Sequence, residues 1–118
     1  MKYALLIHSD QEAWSDFDDD EKAQLRAEQM PRWMALFEEL GKADENVSGY
    51  ELDEASKAKV VRVRNGERLV TDGPFAETKE VIGGVFLTDL PDLDEAIRLA
   101  SLIPSAENGS IEIRPIAG

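Results

Sequence analysis

Residues 71–80 of the chain read Thr71-Asp72-Gly73-Pro74-Phe75-Ala76-Glu77-Thr78-Lys79-Glu80. They follow a stretch with the alternation of a β-strand and run into Val81-Ile82-Gly83-Gly84-Val85-Phe86-Leu87, which predicts a strand over residues 82–88. A short turn is enough to join two strands. This segment instead holds an acid, a rigid Gly-Pro step, an aromatic ring and further charges, so it is the first candidate for a site.

A β-hairpin is predicted immediately before this segment. Residues 60–64 and 67–71 flank Asn65-Gly66, the residue pair typical of a type I′ turn. With a two-residue loop, Arg64 faces Glu67, Arg62 faces Leu69 and Val61 faces Val70. Val61, Val63 and Val70 then share one face of the hairpin, and by parity Asp72 starts out on that same side.

Three further strands are predicted, and the first is apolar on both faces. It covers residues 2–8, a pattern typical of a strand covered on both sides. Its apolar side chains are Tyr3, Leu5 and Ile7 on one face and Ala4 and Leu6 on the other. Residues 49–52 form a short, weak strand, and residues 110–116 form the last one.

Two amphipathic helices are predicted. Acidic residues 18–20 offer an N-cap and a first turn for the first helix, and Gly41 is a candidate for its C-cap. Pro31 should either kink this helix or begin a new one. The second helix covers residues 92–103 and is stopped by Pro104. The inward stripes are predicted to be Met30, Trp33, Met34, Phe37 and Leu40 in the first helix and Leu93, Ala96, Ile97 and Ala100 in the second.

The order of these elements is typical of a ferredoxin-like α+β sandwich. Strand, helix, hairpin, strand, helix and strand follow one another, which gives an antiparallel sheet with two helical segments on one face and an added hairpin. The other face of the sheet would be bare, although its first strand is apolar there. An exposed apolar sheet face predicts a partner.

Composition excludes several classes of protein. The 118 residues suffice for a single domain, residues 1–118, and no apolar run approaches a membrane span. A net charge of −12 argues against a nucleic-acid partner and against an anionic membrane surface. The absence of cysteine excludes disulfides, thiolate zinc sites and a thiol nucleophile. We expect a cytoplasmic protein.

The chain resembles the YCII-related family, in its DGPF type, whose signature is similar to residues 72–80. The resemblance extends to the opening strand, the hairpin, Gly83-Gly84 and the closing Ile111-Glu112-Ile113-Arg114-Pro115. It implies that two chains pair sheet to sheet as a dimeric α/β barrel, so we expect a homodimer through the open sheet face. The family has no well-established general activity.

Asp72 is the acid that the signature singles out. A turn aspartate usually accepts a hydrogen bond from the backbone two residues on, but Pro74 has no N–H. Its carboxylate therefore locks the exit from the hairpin through another partner, or it belongs to a site that binds or reacts. Gly73 is expected in an extended or positive-φ conformation. Gly83-Gly84 indicates either a β-bulge or the close approach of a ligand. The predicted ligand-binding residues are Gly73, Pro74, Phe75, Lys79, Gly83 and Gly84.

His8 is the only histidine of the chain and ends the first strand. Histidine suits general acid or base chemistry near neutral pH, although a strand-end histidine also serves as a polar edge. Related YCII-type proteins have been interpreted as using a His-Asp pair, which here implies His8 and Asp72 as catalytic residues. One histidine makes no multi-histidine metal site, and the acidic run at residues 16–21 lacks calcium-loop spacing. No metal or cofactor is predicted.

Two functions follow from the resemblance. The first is a cofactor-free acid/base enzyme, similar to the muconolactone-isomerase-like dimeric barrels, that performs isomerase, lactone or dehalogenation-type chemistry on a small polar molecule beside the 72–80 loop. The second is a non-catalytic ligand-binding or regulatory protein with a protein partner. Relatives are often encoded beside sigma factors of the extracytoplasmic-function type, which favours the second.

Overall fold

A computed structural model describes residues 1–74 and 80–118. Phe75 and Lys79, both predicted to bind a ligand, lie outside the described residues. The strands are β1 (Lys2–Ser9), β2 (Ser48–Glu51), β3 (Lys59–Arg64), β4 (Glu67–Asp72), β5 (Val81–Asp89) and β6 (Ser110–Pro115). The helices are α1 (Gln11–Ser15), α2 (Asp19–Ala43) and α3 (Leu93–Leu102), with single 3₁₀ turns at Ala55–Lys57 and Pro104–Ala106.

Four strands form an antiparallel sheet in the order β2-β5-β1-β6, and among the described residues β3 pairs only with β4. The predicted α+β class, the antiparallel sheet and the added hairpin are therefore confirmed. Because the chain returns to place β5 and β6 on either side of β1, the first strand is central and contacts two neighbours. In the described part of the chain, no helix has both the length and the apolar composition needed to cross a membrane.

The core lies between one face of the sheet and the two longer helices. Leu5 at the centre of β1 is fully buried, and Phe86 on β5 packs beside it on the same face. The ring of Phe86 covers Gly49 on the edge strand, where an added Cβ would fall 2.5 Å from a ring carbon. Burying a large apolar side chain stabilises the fold by about 1.5–3 kcal/mol. The principal members of the core are Tyr3, Leu5, Ile7, Leu36, Leu40, Phe86, Leu90, Leu99 and Ile103.

The predicted inward stripes of the helices are only partly right. In α2, Leu40 is buried and Trp33 packs against the core, as predicted. Leu36 is also buried in the core, although it was not part of the predicted stripe. Met30, Met34, Phe37, Leu93 and Ile97 are instead exposed. The apolar residues of each helix span a wider arc than the sheet covers, so one side of the stripe remains in water. Sequence periodicity identifies that arc but does not show where the sheet edge ends.

The ends of α2 follow from carboxylate caps. Asp18 accepts a hydrogen bond from Glu21 N–H and Glu21 accepts one from Asp18 N–H, which confirms the predicted N-terminus as a capping box. The helix continues through Pro31, so of the two alternatives there a new helix is wrong and a kink stays a prediction. It ends at Ala43, and the predicted Gly41 cap is also wrong.

Asp44 fixes the C-terminal end of α2 to β5. Its carboxylate accepts hydrogen bonds from Asp89 N–H at 2.9 Å and from Asn46 N–H at 3.0 Å. These backbone donors lower the pKa of Asp44 below its usual value of 3.8, because they stabilise the charged form. The helix therefore ends where the carboxylate of Asp44, three residues beyond Gly41, can connect α2 to β5.

The hairpin has the predicted register. Arg64 pairs with Glu67 and Val61 with Val70, and the turn residues Asn65 and Gly66 have φ values of 53° and 78°, as a type I′ turn requires. Gly73 follows with φ of 92°, one of the two conformations expected for it.

Candidate functional site

The face of the main sheet that points away from the helices is apolar in its centre. Ala4 and Leu6 on β1 lie opposite Leu87 and Val85 on β5, and all four side chains are at least partly exposed. We call this surface, with the polar residues at its edges, the open face. Side chains that alternate along β1 explain it: the odd residues enter the core and the even ones face outward.

His8 extends this outward row of β1 at one end of the sheet. It lies opposite Ser110 on β6 and opposite Ile82 on β5. The register with β5 shifts between Ile7 and His8, so Gly83 is the extra residue of a β-bulge. Of the two interpretations of Gly83-Gly84, the bulge is confirmed, and the approach of a ligand stays a prediction.

The imidazole of His8 contacts Glu112. Its Nε2 lies 2.9 Å from Oε1 of Glu112, which stands two residues beyond Ser110 on the same face of β6. An ionised carboxylate only accepts hydrogen bonds, so Nε2 carries the proton and donates. Nδ1 is then left with a lone pair in the neutral ring. The side chain of His8 is 24% exposed and that of Glu112 is 46% exposed.

A second carboxylate reaches the same end of the open face. Ser110 Oγ lies 3.1 Å from Oε2 of Glu80, the residue that precedes β5. Because Ser110 is the cross-strand neighbour of His8, the end of the 72–80 segment returns to the fold beside the imidazole. Arg114 Nε lies 3.9 Å from the other oxygen of Glu112. The cluster of His8, Glu80, Ser110 and Glu112 is called the polar cluster below.

Asp72 lies at the base of the hairpin and forms an ion pair with Lys59. The two residues are direct cross-strand neighbours, so the carboxylate finds across the hairpin the donor that Pro74 cannot supply. Gly73 N–H donates to Ala58 O at 2.9 Å and closes the base. The side chain of Asp72 is 83% exposed, so the pair adds little to stability.

The two residues of the predicted His-Asp pair have different hydrogen-bond partners. Within residues 1–74 and 80–118, the side-chain hydrogen bond of His8 goes to Glu112 and that of Asp72 goes to Lys59. The catalytic roles of His8 and Asp72 stay predictions. Gly73 and Pro74 stand beside Asp72, whereas Gly83 and Gly84 stand beside His8. The predicted ligand-binding residues that the structure describes are thus divided between the hairpin base and the start of β5.

Three members of the polar cluster were not predicted as site residues from the sequence, namely Glu80, Ser110 and Glu112. A signal for two of them exists, because alternation in the last strand places Ser110 and Glu112 on one face and its isoleucines on the other. Connecting that face to His8 also needs the adjacency of β1 and β6. The described residues contain no group of three or more His, Asp or Glu side chains arranged to hold a metal ion.

Comparison with known proteins gives consistent matches over the whole chain. The YCII-related domain family matches residues 1–117. An uncharacterised protein of Rhizobium meliloti (strain 1021) is 35% identical over 122 residues, which cover 99% of this chain and 93% of that protein. The second match is to a protein without a described activity, so any function has to be argued from the polar cluster and the open face.

Proposed function

The chain belongs to the YCII-related domain family, and we propose that it is a cofactor-free acid/base enzyme that acts on a small polar molecule held against the open face. The observation that carries this proposal is the 2.9 Å contact between His8 Nε2 and Glu112 Oε1. A histidine oriented by a carboxylate through one nitrogen presents the other to a substrate, which is the arrangement of a general base.

The proposed step is a proton transfer at His8 Nδ1. The lone pair takes a proton from a substrate carbon, and the imidazolium that forms is stabilised by the carboxylate of Glu112. Return of the same proton to a different atom of the substrate completes an isomerisation. If the proton comes from water instead, the hydroxide equivalent attacks a lactone carbonyl, the ring C–O bond breaks and the leaving oxygen takes the proton back from His8. At a carbon that bears a halogen, the same attack breaks the carbon–halogen bond, halide leaves, and the imidazolium releases its proton to water.

We propose a homodimer because the open face needs a second layer. The chain exposes 8390 Å² and has a mass of 13.1 kDa. A compact monomer of that mass exposes about 6400 Å², so roughly 2000 Å² is in excess. A standard interface removes about 800 Å² from each partner. The excess therefore suffices for a dimer, and the apolar residues of the open face are the surface that such a partner covers.

A non-catalytic binding protein is the second candidate. The observation that favours it is the Lys59–Asp72 ion pair, since the signature acid then closes the base of a hairpin and has no place in proton transfer. Under this interpretation the polar cluster recognises a polar ligand through hydrogen bonds to Ser110 and Glu112. The same small molecule would bind but would leave unchanged.

The His8–Glu112 pair is tested by ¹⁵N NMR of the imidazole, recorded at a pH high enough to neutralise the ring. We expect the proton on Nε2 in the wild type and a larger share of the Nδ1–H form in Glu112→Gln, because an amide can donate as well as accept. Asp72→Asn is the matched control and should leave the tautomer unchanged. The assignment of Glu112 as the partner of His8 is wrong if Asp72→Asn changes the ratio of the two imidazole tautomers and Glu112→Gln does not.

Catalysis is tested with a panel of small lactones and halogenated carboxylic acids in D₂O, followed by proton NMR. The enzyme hypothesis predicts turnover or deuterium incorporation that falls about 10²- to 10⁴-fold in His8→Gln. A compound that shifts the amide signals of β1 and β6 without reacting, with equal affinity for His8→Gln, would support the binding protein instead.

A further inference from the structure

The hairpin β3–β4 exposes an apolar face that nothing in the described chain covers. Val61, Val63 and Val70 lie on that face, and their exposed fractions are 59%, 61% and 55%. Within residues 1–74 and 80–118, neither strand pairs with the main sheet. A lone two-stranded hairpin is marginally stable in water unless it packs against another element. Its apolar face is therefore expected to be covered in the working protein.

The shape of the chain leaves the hairpin beside the sandwich. The Cα atoms span 47 × 44 × 20 Å. Packed layers lie about 10 Å apart, so one layer of helices on one sheet already fills the shortest of these dimensions, 20 Å. The hairpin thus extends sideways from the two layers and does not fold over the open face of its own chain. The chain approaches the hairpin from the end of the sheet where β5 begins, since Leu52 N–H donates to Gly83 O at 2.9 Å shortly before β3.

The charge of the hairpin is opposite to that of the remaining chain. Residues 59–72 contain four basic and two acidic side chains, a net charge of +2. The rest of the chain contains 9 basic and 23 acidic side chains, a net charge of −14. Complementary potentials steer association and favour one partner over others. The remainder of a second copy, outside its residues 59–72, is strongly acidic. Such a partner is available wherever this protein is present.

We propose that the hairpin is an arm that docks on a second copy of this chain. The face with Val61, Val63 and Val70 packs on the acidic body of that copy, and by two-fold symmetry the second copy returns its own arm. The inference rests on the proposed homodimer and adds to it a second contact region. The roughly 2000 Å² of excess surface on each chain leaves room for both contact regions, since a standard interface removes about 800 Å² from each partner.

The experiment is the dimer dissociation constant, measured by sedimentation equilibrium of the full chain. The arm variant Val61→Thr/Val63→Thr keeps β-branched residues on the strand and removes apolar contact, and we expect it to weaken the dimer at least 10-fold. Leu69→Thr, on the opposite face of the same hairpin, is the matched control and should change the constant less than 3-fold. Circular dichroism verifies that each variant keeps the fold.

A charge variant gives a second, independent readout. Arg68→Glu, on the same face as Val63, lowers the charge of the arm by two units, from +2 to 0, so its dimer should be weaker at low salt. Its dissociation constant should also depend less on salt than that of the wild type, because screening acts on the attraction that was removed. The docking arm is overturned if both arm variants bind as tightly as the wild type.

Leu87→Asp on the open face separates the two proposals. If Leu87→Asp breaks the dimer and the arm variants do not, the open-face dimer stands and the arm is refuted. If the arm variants weaken the dimer and Leu87→Asp does not, the arm stands and the open-face interface is refuted. A wild type that stays monomeric at millimolar concentration refutes both.

Discussion

Gly109→Ala should destabilise the protein at the place that positions the polar cluster. Gly109 precedes β6, and its N–H donates to Ser105 O at 2.8 Å. A Cβ at this position would lie 2.1 Å from the carbonyl oxygen of His8. Ordinary contacts between such atoms are about 3.5 Å, so backbone must move by more than about 1 Å. Overpacking of this kind costs about 1–3 kcal/mol.

The assay is thermal unfolding followed by circular dichroism. For a domain of this size, the expected loss lowers Tm by about 4–12 °C. Gly41→Ala is the matched control: it makes the same substitution inside α2, where an added Cβ has no neighbour within 4 Å. Removing a helical glycine should raise stability by about 0.5–1 kcal/mol. If Gly109→Ala is as stable as the wild type, the close packing of β6 against the end of β1 is wrong.

Three further substitutions test other parts of the fold. Leu5→Ala, at a fully buried position, should cost about 2–5 kcal/mol in urea unfolding, and a loss below 1 kcal/mol would contradict the central place of β1. Pro31→Ala should raise the free energy of unfolding by up to about 3 kcal/mol, since a proline interrupts a continuous helix; a decrease would mean that the helix needs the proline. Asp44→Asn should lower stability near neutral pH, where the charged carboxylate accepts from Asp89 and Asn46. Because the pKa of Asp44 is lowered by folding, this difference should be complete above its usual value of 3.8 and disappear as pH falls through the lowered pKa, whereas a difference that persists in acid would refute the assignment.

Local chemistry was sufficient to predict the hairpin and the helix cap. Asn65-Gly66 determines the turn type, the turn determines the register, and the register places Val61 opposite Val70. The capping box at Asp18 and Glu21 is likewise contained within four residues. Such features depend on neighbours in the sequence, so a single chain is enough to find them.

The polar cluster could not be predicted from local sequence patterns, because its contacts join residues that are far apart in the chain. His8 and Glu112 are 104 positions apart, and their meeting depends on β6 returning to the edge of β1. The family resemblance directed attention to Asp72, which is prominent in the signature but is bound across the hairpin by Lys59. The exposed side of α2 was mispredicted for a related reason. Its periodicity is local, but the edge of the sheet that leaves Met34 in water is not.

A covering layer changes what the polar cluster can do. On an open sheet face, water screens the attraction between His8 and Glu112, and an exposed pair of this kind contributes about 0–1 kcal/mol. A second copy on the open face would exclude water and lower the local dielectric, which strengthens the same contact several-fold at unchanged distance. It would also confine a small molecule beside Nδ1. Ala4 and Leu6 are the apolar residues on the outward face of β1. Their exposure is therefore the reason to expect that assembly and acid/base activity depend on each other in this protein.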